Sequence, residues 1–66
     1  MNKIKYFRNQ LNMTVRELAE KANIAIGYIS TLENDSTGST NPTKDVMKRI
    51  SDALERTVQE VFFNED

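Results

Sequence analysis

The stretch TVRELAEKANIAIGYISTLEN, Thr14 to Asn34, reads as two short helices joined by a tight turn. Thr14 is followed three residues later by Glu17, the spacing of a capping box. The threonine hydroxyl accepts the N–H of residue 17 while the glutamate reaches back to the N–H of residue 14. Leu18, Ala19 and Ala22 then recur at helical spacing and give this helix one apolar face. Asn23 tolerates the left-handed conformation that closes a helix, and Ile24 is placed to plug the corner that follows. A second helix is predicted over Ile26 to Asn34, with Ile29 and Leu32 pointing inward.

The N-terminal side reads as a helix over Asn2 to Leu11, with Ile4, Phe7 and Leu11 forming an apolar stripe. Asn12 and Met13 make the turn into the capping box, with Met13 expected to be buried. On the other side, Asp35 to Asn41 (DSTGSTN) has turn chemistry throughout and reads as a loop. It is either a mobile solvent loop or a source of backbone N–H groups and hydroxyls for phosphates. Thr43 caps a fourth helix, TKDVMKRISDALE, whose inward stripe is Met47, Ile50 and Leu54, with Val46 and Ala53 flanking. Thr57 and Glu60 repeat the capping-box spacing and begin a short fifth helix that supplies Val58, Val61 and Phe62 to the core. Phe62 and Phe63 are adjacent, so one helix face cannot bury both. Residues 64–66 are expected to be a frayed acidic end.

Composition narrows the function classes. Sixty-six residues make a single domain, 1–66, that depends on compact packing or association. The chain has no cysteine and no histidine. Disulfides, thiolate metal sites and histidine-based catalysis are therefore excluded by inventory, and no metal or cofactor is expected. Neither a glycine-rich phosphate loop nor a convergent carboxylate pair is visible, so the chain does not read as an enzyme. No apolar run approaches the ~20 residues that a membrane span needs, and no signal-peptide core follows the basic N-terminus. A cytoplasmic protein without membrane association is expected. The net charge is −1, but it is polarised. Lys3, Lys5, Arg8 and Arg16 give residues 1–16 a charge of +4, whereas residues 55–66 carry −3. One end is thus suited to a polyanion and the other is turned away from it.

The Thr14–Asn34 stretch resembles the helix-turn-helix of the Cro/cI-type repressors, the Xre family. Thr14, Glu17, Leu18, Ala19, Ile29, Leu32, Glu33 and Asn34 fill the family's positions in register, and the likeness extends over roughly residues 3 to 63. The resemblance implies an all-α, five-helix, lambda-repressor-like domain with the helix-turn-helix at helices 2 and 3. It also implies a sequence-specific transcriptional regulator, expected to be a repressor, that binds double-stranded DNA at an inverted repeat as a homodimer. In such motifs the second helix enters the major groove and the first crosses the backbone.

The resemblance assigns roles by position. Ala25, Ile26, Gly27, Tyr28, Ser30 and Thr31 become the base-contacting set. They lack the arginine that reads guanine and the glutamine or asparagine that reads adenine. They offer apolar contact, hydroxyls and close approach at Gly27 instead. Thr14, Arg16, Asn34 and Lys44 are the candidates for backbone phosphates. Arg8 is expected to pair structurally with Glu33. Val15 stands where many members carry a glutamine that braces the recognition helix. Phe63 is the candidate dimer contact. The acidic balance, Val15 and the missing bidentate readers keep an alternative open, a protein-interaction module such as an antitoxin or anti-repressor with a protein partner and weak or lost DNA binding.

Overall fold

Thr14, Thr43 and Thr57 each start a helix for the same local reason. Each hydroxyl accepts the N–H three residues on, from Glu17, Val46 and Glu60 at 3.0, 3.2 and 3.1 Å. The computed structural model describes residues 2–35 and 38–63. Its elements are α1 (Ile4–Gln10), α2 (Val15–Ala22), α3 (Ile26–Glu33), α4 (Lys44–Ala53) and α5 (Val58–Phe62), with no strand among the described residues. Both predicted capping boxes are complete, since the Glu17 and Glu60 carboxylates also accept the N–H groups of Thr14 and Thr57 at 2.7 and 2.9 Å. The Thr57 N–H, more than any other neighbour, holds the Glu60 carboxyl below its ordinary range. The expected frayed end, 64–66, lies outside the described residues.

Three helices end in one way. Asn12, Asn23 and Glu55 have φ of 53, 57 and 60°, and the next N–H reaches back five residues in each case. Met13 donates to Arg8 O, Ile24 to Ala19 O and Arg56 to Ser51 O, at 3.0, 3.0 and 2.9 Å. This is the Schellman closure. Asparagine enters the left-handed region readily; glutamate does so at a cost of about 1 kcal/mol.

All five helices meet at one core. Ile4, Leu18, Ile29, Leu32, Ile50, Leu54 and Val61 are fully buried, and Phe7, Ala19, Ala22 and Ala53 nearly so. At ~25 cal/mol per Å² of apolar surface, each large aliphatic side chain contributes roughly 1.5–3 kcal/mol. The N-terminal segment closes the bundle, because Lys3 N–H donates to Val61 O at 2.8 Å and the Asn2 amide donates to Leu32 O at 2.9 Å. No helix of the described residues is long and apolar enough to cross a membrane.

Several expectations need correction. The first helix begins at Ile4, with the Asn2 side chain accepting the Ile4 N–H at 3.1 Å from outside it. Leu11 is not core: it lies at the C-cap of α1 and is 40% exposed. The turn at Asn12 swings it out of the stripe. Met13 and Met47 are half-buried rather than buried, as is Val58. Ser51 was not expected inside, yet it is 1% exposed and its Oγ has no hydrogen-bond partner. Three of the described loop amides have a partner within the loop. The Asp35 carboxylate accepts the N–H groups of Gly38, Ser39 and Thr40 at 3.0, 3.2 and 2.6 Å.

Candidate nucleic-acid interface

Position in the fold depends on how α3 is held, because little in α3 itself fixes it. Ile29 and Leu32 anchor its inner face. Glu33 anchors its last turn. Arg8 Nε and Nη2 donate to the two Glu33 carboxylate oxygens at 2.8 and 3.1 Å, and Nη1 donates to Met13 O at 2.8 Å. The side chains are 13% and 8% exposed. One guanidinium thus joins α1, the turn before α2 and the end of α3. The fork-on-fork geometry is the strong form of this interaction, and the Glu33 hydrogen bonds raise the affinity of Arg8 for its proton further. Arg8 is therefore engaged inside the protein rather than offered to a phosphate.

The corner between α2 and α3 is set by Asn23 and by Ile24, which packs against the core. Arg49 on α4 steadies it from behind, donating to Asn23 O at 3.4 Å while pairing with Asp45 at 3.0 Å. Val15, in the place of the family glutamine, also packs half-buried against the core. It braces the domain by apolar contact.

The outward surface of α3 is uncharged. Ala25 and Gly27 are exposed, and Ile26 is 42% exposed. Tyr28 differs from Ala25, Ile26 and Gly27, as its body is half-buried against the core. Ser30 is half-buried and Thr31 exposed. Two polar groups here fold back on the helix. The Thr31 hydroxyl donates to Gly27 O, and the Asn34 amide to Ser30 O, both at 2.9 Å.

Of the phosphate candidates, Thr14 is committed to its cap, and Arg16 and Lys44 are exposed. Arg16, Ala25 and Ile26 line one open concavity between α2 and α3, together with Glu20, Asn23 and Ile24. Phe63 is elsewhere. It is 54% exposed and borders a groove with Phe62, Met47, Pro42, Leu32 and Asp35. The roles of Asn2, Asp35 and Arg49 escaped the sequence reading, since each acts on a backbone atom that no motif marks. No group of side chains among the described residues is arranged to hold a metal ion.

A family model described as Helix-turn-helix matches residues 4–61. The chain belongs to the Xre-type helix-turn-helix family. A curated relative, the HTH-type transcriptional regulator SinR of Bacillus licheniformis, is 31% identical over 64 residues, which cover 97% of this chain and 56% of the relative. The chain thus spans about half the length of that protein. Among solved structures, the solution structure of the N-terminal DNA-binding domain of the master biofilm-regulator SinR from Bacillus subtilis superposes with a TM-score of 0.79 at 31% identity. It covers 97% of this chain and 88% of that one. The crystal structure of the biofilm master regulator SinR in complex with DNA gives a TM-score of 0.78 at 33% identity, over 86% and 87% of the two chains. The all-α, five-helix architecture expected from the residues is the one these domains share.

Proposed function

We propose that this chain is a sequence-specific DNA-binding transcriptional regulator, a repressor that acts in the cytoplasm as a homodimer on an inverted-repeat operator. The observation that carries the reading is the α2–α3 unit, an exposed uncharged helix face beside an unpaired arginine, in a chain whose structural neighbour SinR was solved on DNA. In this reading Ala25, Ile26, Gly27, Tyr28, Ser30 and Thr31 meet the major groove. Arg16, Lys44, Asn34 and the N-terminus of α2 at Thr14 hold the flanking phosphates. Repression then requires only that the occupied site exclude polymerase. Phe63 makes the symmetric contact between copies.

Selection of binding sites from a randomised duplex library, at moderate salt, tests the proposal. Enrichment of an inverted repeat with half-sites about one helical turn apart is expected. Folded protein that enriches nothing would move the assignment to a protein-interaction module. That reading draws on the net charge of −1 and the absence of bidentate base readers on α3. The dimer contact has its own test. Phe63→Lys should convert a dimer to monomer by light scattering, and an unchanged mass would remove Phe63 from the interface.

A further inference from the structure

The reading of α3 as the base-facing helix leaves open what chemistry it reads. We propose that it discriminates bases by apolar contact, with the exposed Ile26 side chain meeting thymine C5-methyl groups and the bare backbone at Gly27 admitting the base edges. Three observations carry this. First, two polar side chains of the outward face are turned back. Thr31 and Asn34 donate to carbonyls of α3 itself, and no arginine or glutamine stands among them. Second, Ile26 is 42% exposed in the first turn, in a concavity it shares with the unpaired Arg16. That places an apolar surface next to a cation suited to the phosphates that border a groove. Third, a Cβ built at Gly27 meets nothing within 4 Å. The fold itself makes no use of a glycine there, although glycine is disfavoured inside a helix. The open space is available to a ligand, and its neighbour is Ile26. Thymine is the base that offers an apolar group in the major groove.

The test uses the full chain and the operator obtained by selection, with deoxyuridine replacing thymine. This removes the methyl groups and leaves base pairing intact. Affinity should fall about threefold to fourfold for each contacted methyl removed, the scale of one buried methyl group. Ile26→Ala should bind the thymine and deoxyuridine operators alike. Gly27→Ala should melt higher by a few degrees, from helix propensity, yet bind the operator about tenfold more weakly, from overpacking at the contact. Equal binding of the two operators by the parent protein would overturn the proposal. So would an undiminished thymine preference in Ile26→Ala, or parent-like affinity in Gly27→Ala. A parent protein that selects no duplex at all would instead sink the functional reading on which this one rests.

Discussion

Helices α2 and α3 are equal in length and adjacent in the chain, yet they are specified in opposite ways. Helix α2 carries its own instructions: a complete capping box at Thr14, a glutamate in the first turn, a lysine in the last and a left-handed asparagine at its end. Helix α3 has none of these. Its N-cap is Ala25, which makes no side-chain cap, no acid lies in its first turn and no base in its last, and Asn34 stays outside the left-handed region. What holds α3 is tertiary: Ile29 and Leu32 in the core, Arg8 on Glu33 and Asn2 on Leu32 O. Local signals take up surface positions here, since Thr14, Glu17 and Lys21 are all exposed. A helix anchored from behind keeps its front free. On the proposed reading, the contrast separates a scaffold helix from a contact helix.

The largest test of this contrast removes the anchor. Arg8→Ala leaves Glu33 buried without its partner and should cost about 3 kcal/mol, the loss expected when one member of a buried pair is deleted. Thermal or urea unfolding measures it. A loss under about 1 kcal/mol would mean that the core alone positions α3.

Next comes the asymmetry in caps. Thr14→Ala should cost about 1 kcal/mol by removing the hydroxyl that satisfies the Glu17 N–H. Ala25→Ser, at a position with φ −59 and ψ 135, should add up to about 1 kcal/mol by supplying the cap that α3 lacks. Opposite shifts in melting temperature are expected. Shifts of the same sign would show that α3 is capped by another route.

Much of this architecture was legible in the sequence because its causes are local. A hydroxyl and a glutamate three residues apart make a capping box wherever the backbone allows, so Thr14/Glu17 and Thr57/Glu60 could be read directly. Leu11 was misread because spacing continues a stripe without registering that Asn12 ends the helix. Ser51 was missed for the converse reason: it occupies the buried face with Met47, Ile50 and Leu54 at i, i+3, i+4 and i+7, but a hydroxyl hides the pattern. The contacts of Arg8 with Glu33 and of Asn2 with Leu32 span 25 and 30 residues. No periodicity reports such a separation, and the first was expected only through family resemblance. On α3, the sequence reading picked out six outward residues, of which Ala25, Ile26, Gly27 and Thr31 are exposed and Tyr28 and Ser30 half-buried. It did not reveal that Tyr28 leans on the core or that Thr31 and Asn34 are turned back on the helix.

The two helix-terminal asparagines give a smaller test. Asn23→Ala must hold φ 57° without the local stabilisation that asparagine brings, and should cost about 1 kcal/mol. Asn34→Ala loses only an exposed bond to Ser30 O and should cost about 0.5 kcal/mol. Equal losses would show that both ends of the helix pair are strained alike.

A further small effect concerns charge. Helix α2 presents Arg16 and, one turn later, Glu20 to the same concavity that Ile26 lines, and the two form no ion pair. If α2 supplies the electrostatics and α3 the shape, these charges act on phosphates with opposite sign. Arg16→Gln should then weaken operator binding and Glu20→Gln strengthen it, each about threefold at 50 mM salt, with both effects shrinking as salt shortens the Debye length. Neither change should alter which sequence is selected, because phosphate contacts position a protein on the duplex whereas base contacts specify it. Electrophoretic titration of the parent and the two variants at two salt concentrations measures this. A changed base preference in Glu20→Gln would mean that the carboxylate itself touches a base edge, and the division of labour between the helices would have to be redrawn with Glu20 on the reading side.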